Sequence, residues 1–142
     1  MKAALQAAVK EALKARDKTR LDTLRLLLSA IQYEELEKKT EPLPTEGIIS
    51  VLQREVKKRR EEIEYAQQAG REEQLAKLNQ EIQILEEFLP KQLSAGDLEK
   101  TIVELKQQNA GANMGAIMKL LKERHAGQYD GKLASEIAKR VL

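Results

Sequence analysis

The stretch Leu75-Ala76-Lys77-Leu78-Asn79-Gln80-Glu81-Ile82-Gln83-Ile84-Leu85-Glu86-Glu87-Phe88-Leu89-Pro90 decides the fold class. Leu75, Leu78, Ile82, Leu85 and Leu89 fall at spacings of 3, 4, 3 and 4. That is the seam of a helix packed lengthwise on another helix. Pro90 cannot continue the helix and stops it. The spacing predicts a helix over 71–88, entered through Gly70. A single glycine between this helix and the one before it implies an antiparallel hairpin.

Working outward toward the N-terminus, the preceding helix is predicted over 45–68. Ile48, Leu52, Val56 and Ile63 mark its inner face, and Thr45 reads as its N-cap. Pro42 and Pro44 separate it from a helix ending near residue 39. That helix follows Asp17, a plausible cap, and carries a stripe of Leu21, Leu24, Leu28 and Ile31 widened by Leu26 and Leu27. A first helix is predicted over 2–15, with Leu5, Val9 and Leu13 recurring every four residues.

Beyond Pro90, Ser94 with Asp97 three residues later is a capping-box-like start. Three short helices follow, over 95–107, 114–124 and 132–141, separated by the Gly- and Asn-containing segments 109–113 and 126–131. No stretch reads as a strand. The expected fold is all-α. An N-terminal domain of long helices (1–89), including the hairpin, precedes a small C-terminal three-helix bundle (90–142).

Composition narrows the function classes. There is no Cys, one His, and only 3% aromatic residues among 142. Disulfides, thiol nucleophiles and Cys-ligated zinc are excluded, and His-based metal sites and triads have almost nothing to draw on. No apolar run approaches the roughly 20 residues of a membrane span. The opening residues offer no contiguous signal core. A cytoplasmic protein without metal or cofactor is expected. The net charge of +2 is unevenly placed: 16 Lys/Arg against 17 Asp/Glu over 1–89, and 9 against 6 over 90–142. The basic C-terminal excess is compatible with a polyanionic partner.

Lys57-Lys58-Arg59-Arg60 is the densest basic run, but Glu61, Glu62 and Glu64 follow it. Lys57–Glu61, Lys58–Glu62 and Arg60–Glu64 are each i,i+4 partners, so a self-paired solvated face is expected. Arg59 lies instead on the apolar side of its helix, where a guanidinium must snorkel or find a carboxylate. His125 beside Arg124 complements a helix C-terminus and has no motif for a nucleophile or orienting acid near it. Asp130 in Tyr129-Asp130-Gly131-Lys132 reads as an N-cap, and Met114 and Met118 read as core. Lys119, Lys122, Arg124, Lys132, Lys139 and Arg140 are opposed over their stretch by Glu123, Asp130 and Glu136 alone. On a shared face they form a modest polyanion footprint. The shortage of aromatics favours reading a folded RNA by backbone and shape over stacking on single-stranded bases.

Several blocks together resemble the YqeY family: Arg16-Asp17-Lys18-Thr19-Arg20-Leu21 with Leu24-Arg25, Arg54 through Glu61, Ala69-Gly70-Arg71, Phe88-Leu89-Pro90-Lys91-Gln92-Leu93-Ser94, Met114-Gly115, and Tyr129-Asp130-Gly131-Lys132. The family is similar to the C-terminal tail of GatB, a subunit of the tRNA-dependent amidotransferase, and to a module appended to some glutaminyl-tRNA synthetases. The resemblance implies an all-helical protein with an N-terminal helical portion and a C-terminal three-helix bundle. In the family's larger relatives the tail grips tRNA while the chemistry belongs to other domains and another subunit, so a free-standing protein of this type is expected to have the handle without the active site. A glutamine-dependent carbon–nitrogen ligase label would come by family association. No Ser-Lys amidase constellation is present, so no catalytic residue and no autonomous activity are expected.

The family's C-terminal patch maps onto Met114, Gly115, Tyr129, Asp130, Gly131 and Lys132, with a short loop, Ala126-Gly127-Gln128, before it. The expected nucleic-acid contacts are Lys119, Lys122, Arg124, Tyr129, Lys132 and Lys139. Expected partners are tRNA and an aminoacyl-tRNA synthetase or amidotransferase subunit, with no membrane. The alternative is a helical protein–protein adaptor using the apolar stripe over 75–89.

Overall fold

Four of the helices start on a short polar side chain. The computed structural model describes residues 1–142 and contains seven helices and no strand. They are α1 (Lys2–Lys14), α2 (Lys18–Lys38), α3 (Thr45–Gln68), α4 (Glu72–Glu86), α5 (Ala95–Gln108), α6 (Met114–Arg124) and α7 (Gly131–Val141). Asp17 Oδ1 accepts from Arg20 N at 3.1 Å and starts α2. Ser94 Oγ accepts from Asp97 N at 3.1 Å, Asn113 Oδ1 from Ala116 N at 2.9 Å, and Asp130 Oδ1 from Lys132 N at 3.2 Å. Each satisfies an amide that the first helical turn leaves without an intrahelical partner. No helix is long and apolar enough to cross a membrane.

The chain divides into two units, Met1–Leu89 and Pro90–Leu142. In the first, α3 packs chiefly on α4 and α1 on α2. Leu5, Leu24, Leu27, Ile31, Ile48, Val51, Leu52, Val56, Ile82 and Leu85 are buried in one core. The loop residue Leu43 joins it, lying over α3 so closely that a Cβ on Gly47 would come within 2.8 Å of Leu43 Cγ. Of the α4 seam, Leu78, Ile82 and Leu85 are buried, and Leu75 and Leu89 are half-buried. The adaptor reading needs that stripe on the surface, and most of it is in the interior.

Three expectations require correction. Leu13 is 56% exposed, and Ala12 is buried in its place. A four-residue repeat drifts about 40° per step around a helix with 3.6 residues per turn. Leu13 has therefore drifted about 80° from Leu5, while Ala12 lies within about 20° of it. Leu26 is also 56% exposed, because it lies about 100–160° around α2 from Leu24, Leu27 and Ile31. Finally, Pro44 and not Thr45 occupies the N-cap of α3, without a side-chain cap. The Pro44 carbonyl accepts from Ile48 N at 3.1 Å, which brings Thr45 into the first turn.

In the second unit, Leu98, Ile102, Leu105, Ile117, Leu121, Ala134, Ile137 and Ala138 from α5, α6 and α7 form one core. Met114, Met118 and Tyr129 pack against it.

Candidate nucleic-acid interface

Lys119, Lys122 and Arg124 lie on α6, Lys132 and Lys139 on α7, and all five are exposed. Helical geometry places Lys119 and Lys122 within about 60° of each other, and Arg124 about 140° around from Lys119. Arg124 Nη1 donates to Gln108 Oε1 at 3.3 Å, on α5. Lys132 and Lys139 lie two turns apart and within about 20°, so they form one ridge of α7. Glu136 lies on the same side. Arg140 is directed elsewhere and pairs with Glu99 at 3.1 Å. The predicted cations therefore form two pairs, Lys119 with Lys122 and Lys132 with Lys139. Arg124 is set apart from the first pair.

Tyr129 differs from these cations. It is half-buried against the second core, and burial pushes its phenol above the ordinary 10.0. The loop that carries it is pinned from the segment ahead of α5. Gln92 Nε2 donates to the carbonyls of Pro90 at 2.9 Å and Gly127 at 2.6 Å. Leu93 N donates to Gln128 O at 2.7 Å, and the Gln128 side chain lies 3.0 Å from His125 Nδ1. Gly127 has φ +75°, a left-handed backbone that glycine adopts without steric cost. The segment from Pro90 to Leu93 is thus tied to Gly127 and Gln128, which lead into α7 beside the Lys132–Lys139 ridge.

The second half of the Lys57–Arg60 run is bound up with α4. Arg59 is buried, and its Nε donates to Glu81 at 3.2 Å while Nη1 reaches Glu55 at 3.4 Å. The expected structural pairing is observed. Arg60, however, pairs with Glu86 at 3.0 Å across to α4 instead of with Glu64 on its own helix. The packing of α3 on α4 supplies a carboxylate that local spacing could not reveal.

Two polar residues of structural weight were not singled out in the sequence. Gln92 stood inside a quoted block without a role, because its partner carbonyl at Gly127 is 35 residues away. Glu35 is buried, and accepts from Lys2 Nζ at 2.8 and 3.0 Å and from Leu43 N at 2.8 Å. Lys2 foremost, then the Leu43 amide, hold its carboxyl below the ordinary 4.5 against the opposing effect of burial. A signal was present, since Glu35 continues the Leu24, Leu27, Ile31 stripe by one more step of four.

No three His, Asp or Glu side chains converge in a way that could hold a metal ion. The exposed cations of α6 and α7 offer ammonium and guanidinium donors suited to phosphate oxygens.

A family model described as Yqey-like protein matches residues 2–142. An uncharacterized protein of Schizosaccharomyces pombe is 32% identical over 95 residues, covering 66% of this chain and 76% of the yeast protein.

Proposed function

The chain belongs to the YqeY family, and from that premise we propose that it is a non-catalytic tRNA-handling module. In this reading the chain is two helical domains, 1–89 and 90–142. α3 and α4 form an antiparallel hairpin in the first, and α5 to α7 form a three-helix bundle in the second. The bundle contacts tRNA phosphates through Lys119, Lys122, Arg124, Lys132 and Lys139. Tyr129 acts as the anchor of the loop that presents Lys132. The protein works in the cytoplasm beside an aminoacyl-tRNA synthetase or an amidotransferase subunit, as the likeness to the GatB tail implies. It performs no amide transfer by itself.

The observation that carries the reading is the Lys132–Lys139 ridge, two exposed ammonium groups on a face whose helix entry is held rigid by the Gln92 and Leu93 hydrogen bonds. With the backbone of the helix entry already fixed, the two lysine side chains are what must be ordered on meeting a phosphate backbone. Binding to total tRNA should weaken steeply as salt rises, because each neutralised phosphate releases counterions. Lys132→Glu/Lys139→Glu should reduce the slope of log K against log salt by about 2. Absence of tRNA binding at low salt defeats the proposal. So does release of ammonia from glutamine by the purified protein with misacylated tRNA.

A further inference from the structure

A second charged feature lies in the N-terminal unit, on residues that the proposed function does not use. Lys18, Asp22, Arg25 and Ser29 follow one another at steps of 4, 3 and 4 along α2, so they form one face. That face and the α4 residues Lys77 and Glu81 line an open groove of about 580 Å³. Lys18 and Arg25 belong to the Arg16–Arg25 block of the sequence. Two other charged members of that block have structural work: Asp17 caps α2, and Arg20 pairs with Glu87 at 2.6 Å and lies 5.9 Å from the Phe88 ring centroid.

The charge balance of the groove follows from where Glu81, Glu86 and Glu87 go. Glu87 is taken by Arg20, Glu86 by Arg60, and Glu81 by the buried Arg59. Glu81 therefore lines the groove already neutralised. Lys18, Arg25 and Lys77 make no ion pair within the chain, although Asp22 is within helical reach of the first two and Glu73 of the third. Among the residues that line the groove, three cations face one uncommitted carboxylate, Asp22. Thr19 and Ser29 add hydroxyl donors to the same walls. Lys18 and Arg25 are seven residues apart, about 10 Å along the helix axis. A single carboxylate ligand is too small and too weakly charged for this spread. A doubly charged or repeated oxyanion matches it.

We propose that the groove between α2 and α4 is a binding site for phosphate oxyanions, held by Lys18, Arg25 and Lys77. The source is either a free phosphate compound or the phosphodiester backbone of an RNA. The site stands independently of the α6 and α7 cations.

The test is titration of the full chain with sodium pyrophosphate at low ionic strength, followed by amide NMR shifts. Saturable shifts are expected at Thr19, Asp22, Arg25, Ser29 and Lys77. Arg25→Gln/Lys77→Gln, both exposed positions, should weaken binding about tenfold. Asp22→Asn should tighten it about threefold, since it removes the opposing charge. A non-saturating response, or the same affinity in the double variant, overturns the proposal. The same double variant titrated with total tRNA then identifies the source. Weakened tRNA binding assigns the groove to RNA, and unchanged tRNA binding beside lost pyrophosphate binding assigns it to a free phosphate compound. Lys132→Glu/Lys139→Glu serves as the counterpart: it should leave the pyrophosphate response intact, so loss of the C-terminal tRNA contact and loss of this site are read separately.

Discussion

The two units solve the same problem with different polar devices. In Met1–Leu89, ion pairs run from one helix to another: Lys2–Glu35, Arg20–Glu87, Arg54–Glu34, Arg59–Glu81 and Arg60–Glu86. Side-chain capping is sparse there, since the N-caps of α1, α3 and α4 make no side-chain cap hydrogen bond. In Pro90–Leu142 every helix has a side-chain N-cap, from Ser94, Asn113 and Asp130, and Arg140 of α7 pairs with Glu99 of α5. Gln92 and Leu93 add hydrogen bonds from one loop to another. Long helices present many side chains to a neighbour, so charge can be matched across them. Helices of 11 to 14 residues present few, and a larger share of their backbone is terminal. The first unit should therefore respond more strongly to pH and salt, and the second more strongly to changes in caps and loops.

The largest effects should come from the cores. Leu52→Ala and Leu121→Ala each empty a fully buried position, one in each unit, and each should cost about 2–5 kcal/mol. Amide hydrogen exchange should show faster opening of α1 to α4 in the first variant and of α5 to α7 in the second. Equal acceleration in both units from either substitution would break the contrast between them. Next comes Arg59→Met, which leaves Glu81 and Glu55 in a largely buried place without their cation. A loss of about 2–3 kcal/mol is expected in urea melts. Adding Glu81→Gln should recover part of it, because the uncompensated charge is then removed.

Glu35 gives the contrast its pH arm. Its carboxyl is held below the ordinary 4.5 in the folded protein by Lys2 and by the Leu43 amide. A depressed folded value means that the unfolded chain binds the proton more readily. The contribution is fully present above the unfolded value and is lost as pH falls through the folded one. Thermal melts of the wild type should therefore fall from pH 6 toward pH 3, about the range over which a glutamate titrates. In Glu35→Gln the fall should be shallower and the neutral-pH melting temperature lower. Identical pH profiles for the two proteins would remove Glu35 from this role.

Much of the fold was legible because the chain punctuates itself. Asp17, Gly70, Pro90, Ser94 and Asp130 stop or start helices where their local chemistry requires it. Burial of Arg59 was legible too, from its angle on α3. What the linear pattern lost was angle and distance. Leu13 and Leu26 matched an apolar count but drifted off the inner face, and Arg60 found Glu86 across the α3–α4 contact. The candidate site was legible as a set of exposed cations. Its division into the Lys119–Lys122 and Lys132–Lys139 pairs needed helix geometry, and the Gln92 anchor beneath it needed tertiary structure. The α2–α4 groove was hidden for the same reason. Lys18 and Arg25 stand in their sequence block without a role until Arg20, Arg59 and Arg60 are seen to occupy Glu87, Glu81 and Glu86.

The smallest expected effect sharpens the comparison at a single turn. α1 and α3 end in the same way, with the N–H of the second residue past the cap bonded back to the third-last helical carbonyl: Asp17 N to Ala12 O at 3.0 Å, and Arg71 N to Ala66 O at 3.0 Å. Both need a left-handed residue in between. α3 uses Gly70, at φ +67°, and α1 uses Arg16, at φ +57°. A side chain in that region crowds its own backbone, and glycine does not. Arg16→Gly should therefore raise stability by about 0.5–1 kcal/mol, the steric relief being partly offset by the greater freedom of glycine in the unfolded chain. Gly70→Arg should do the reverse by a similar amount, with nothing within 4 Å of a new Cβ to add a clash. Urea midpoints that move in opposite directions would identify backbone conformation as the cause. A loss of stability in Arg16→Gly would show instead that the arginine side chain holds the α1–α2 turn through contacts of its own.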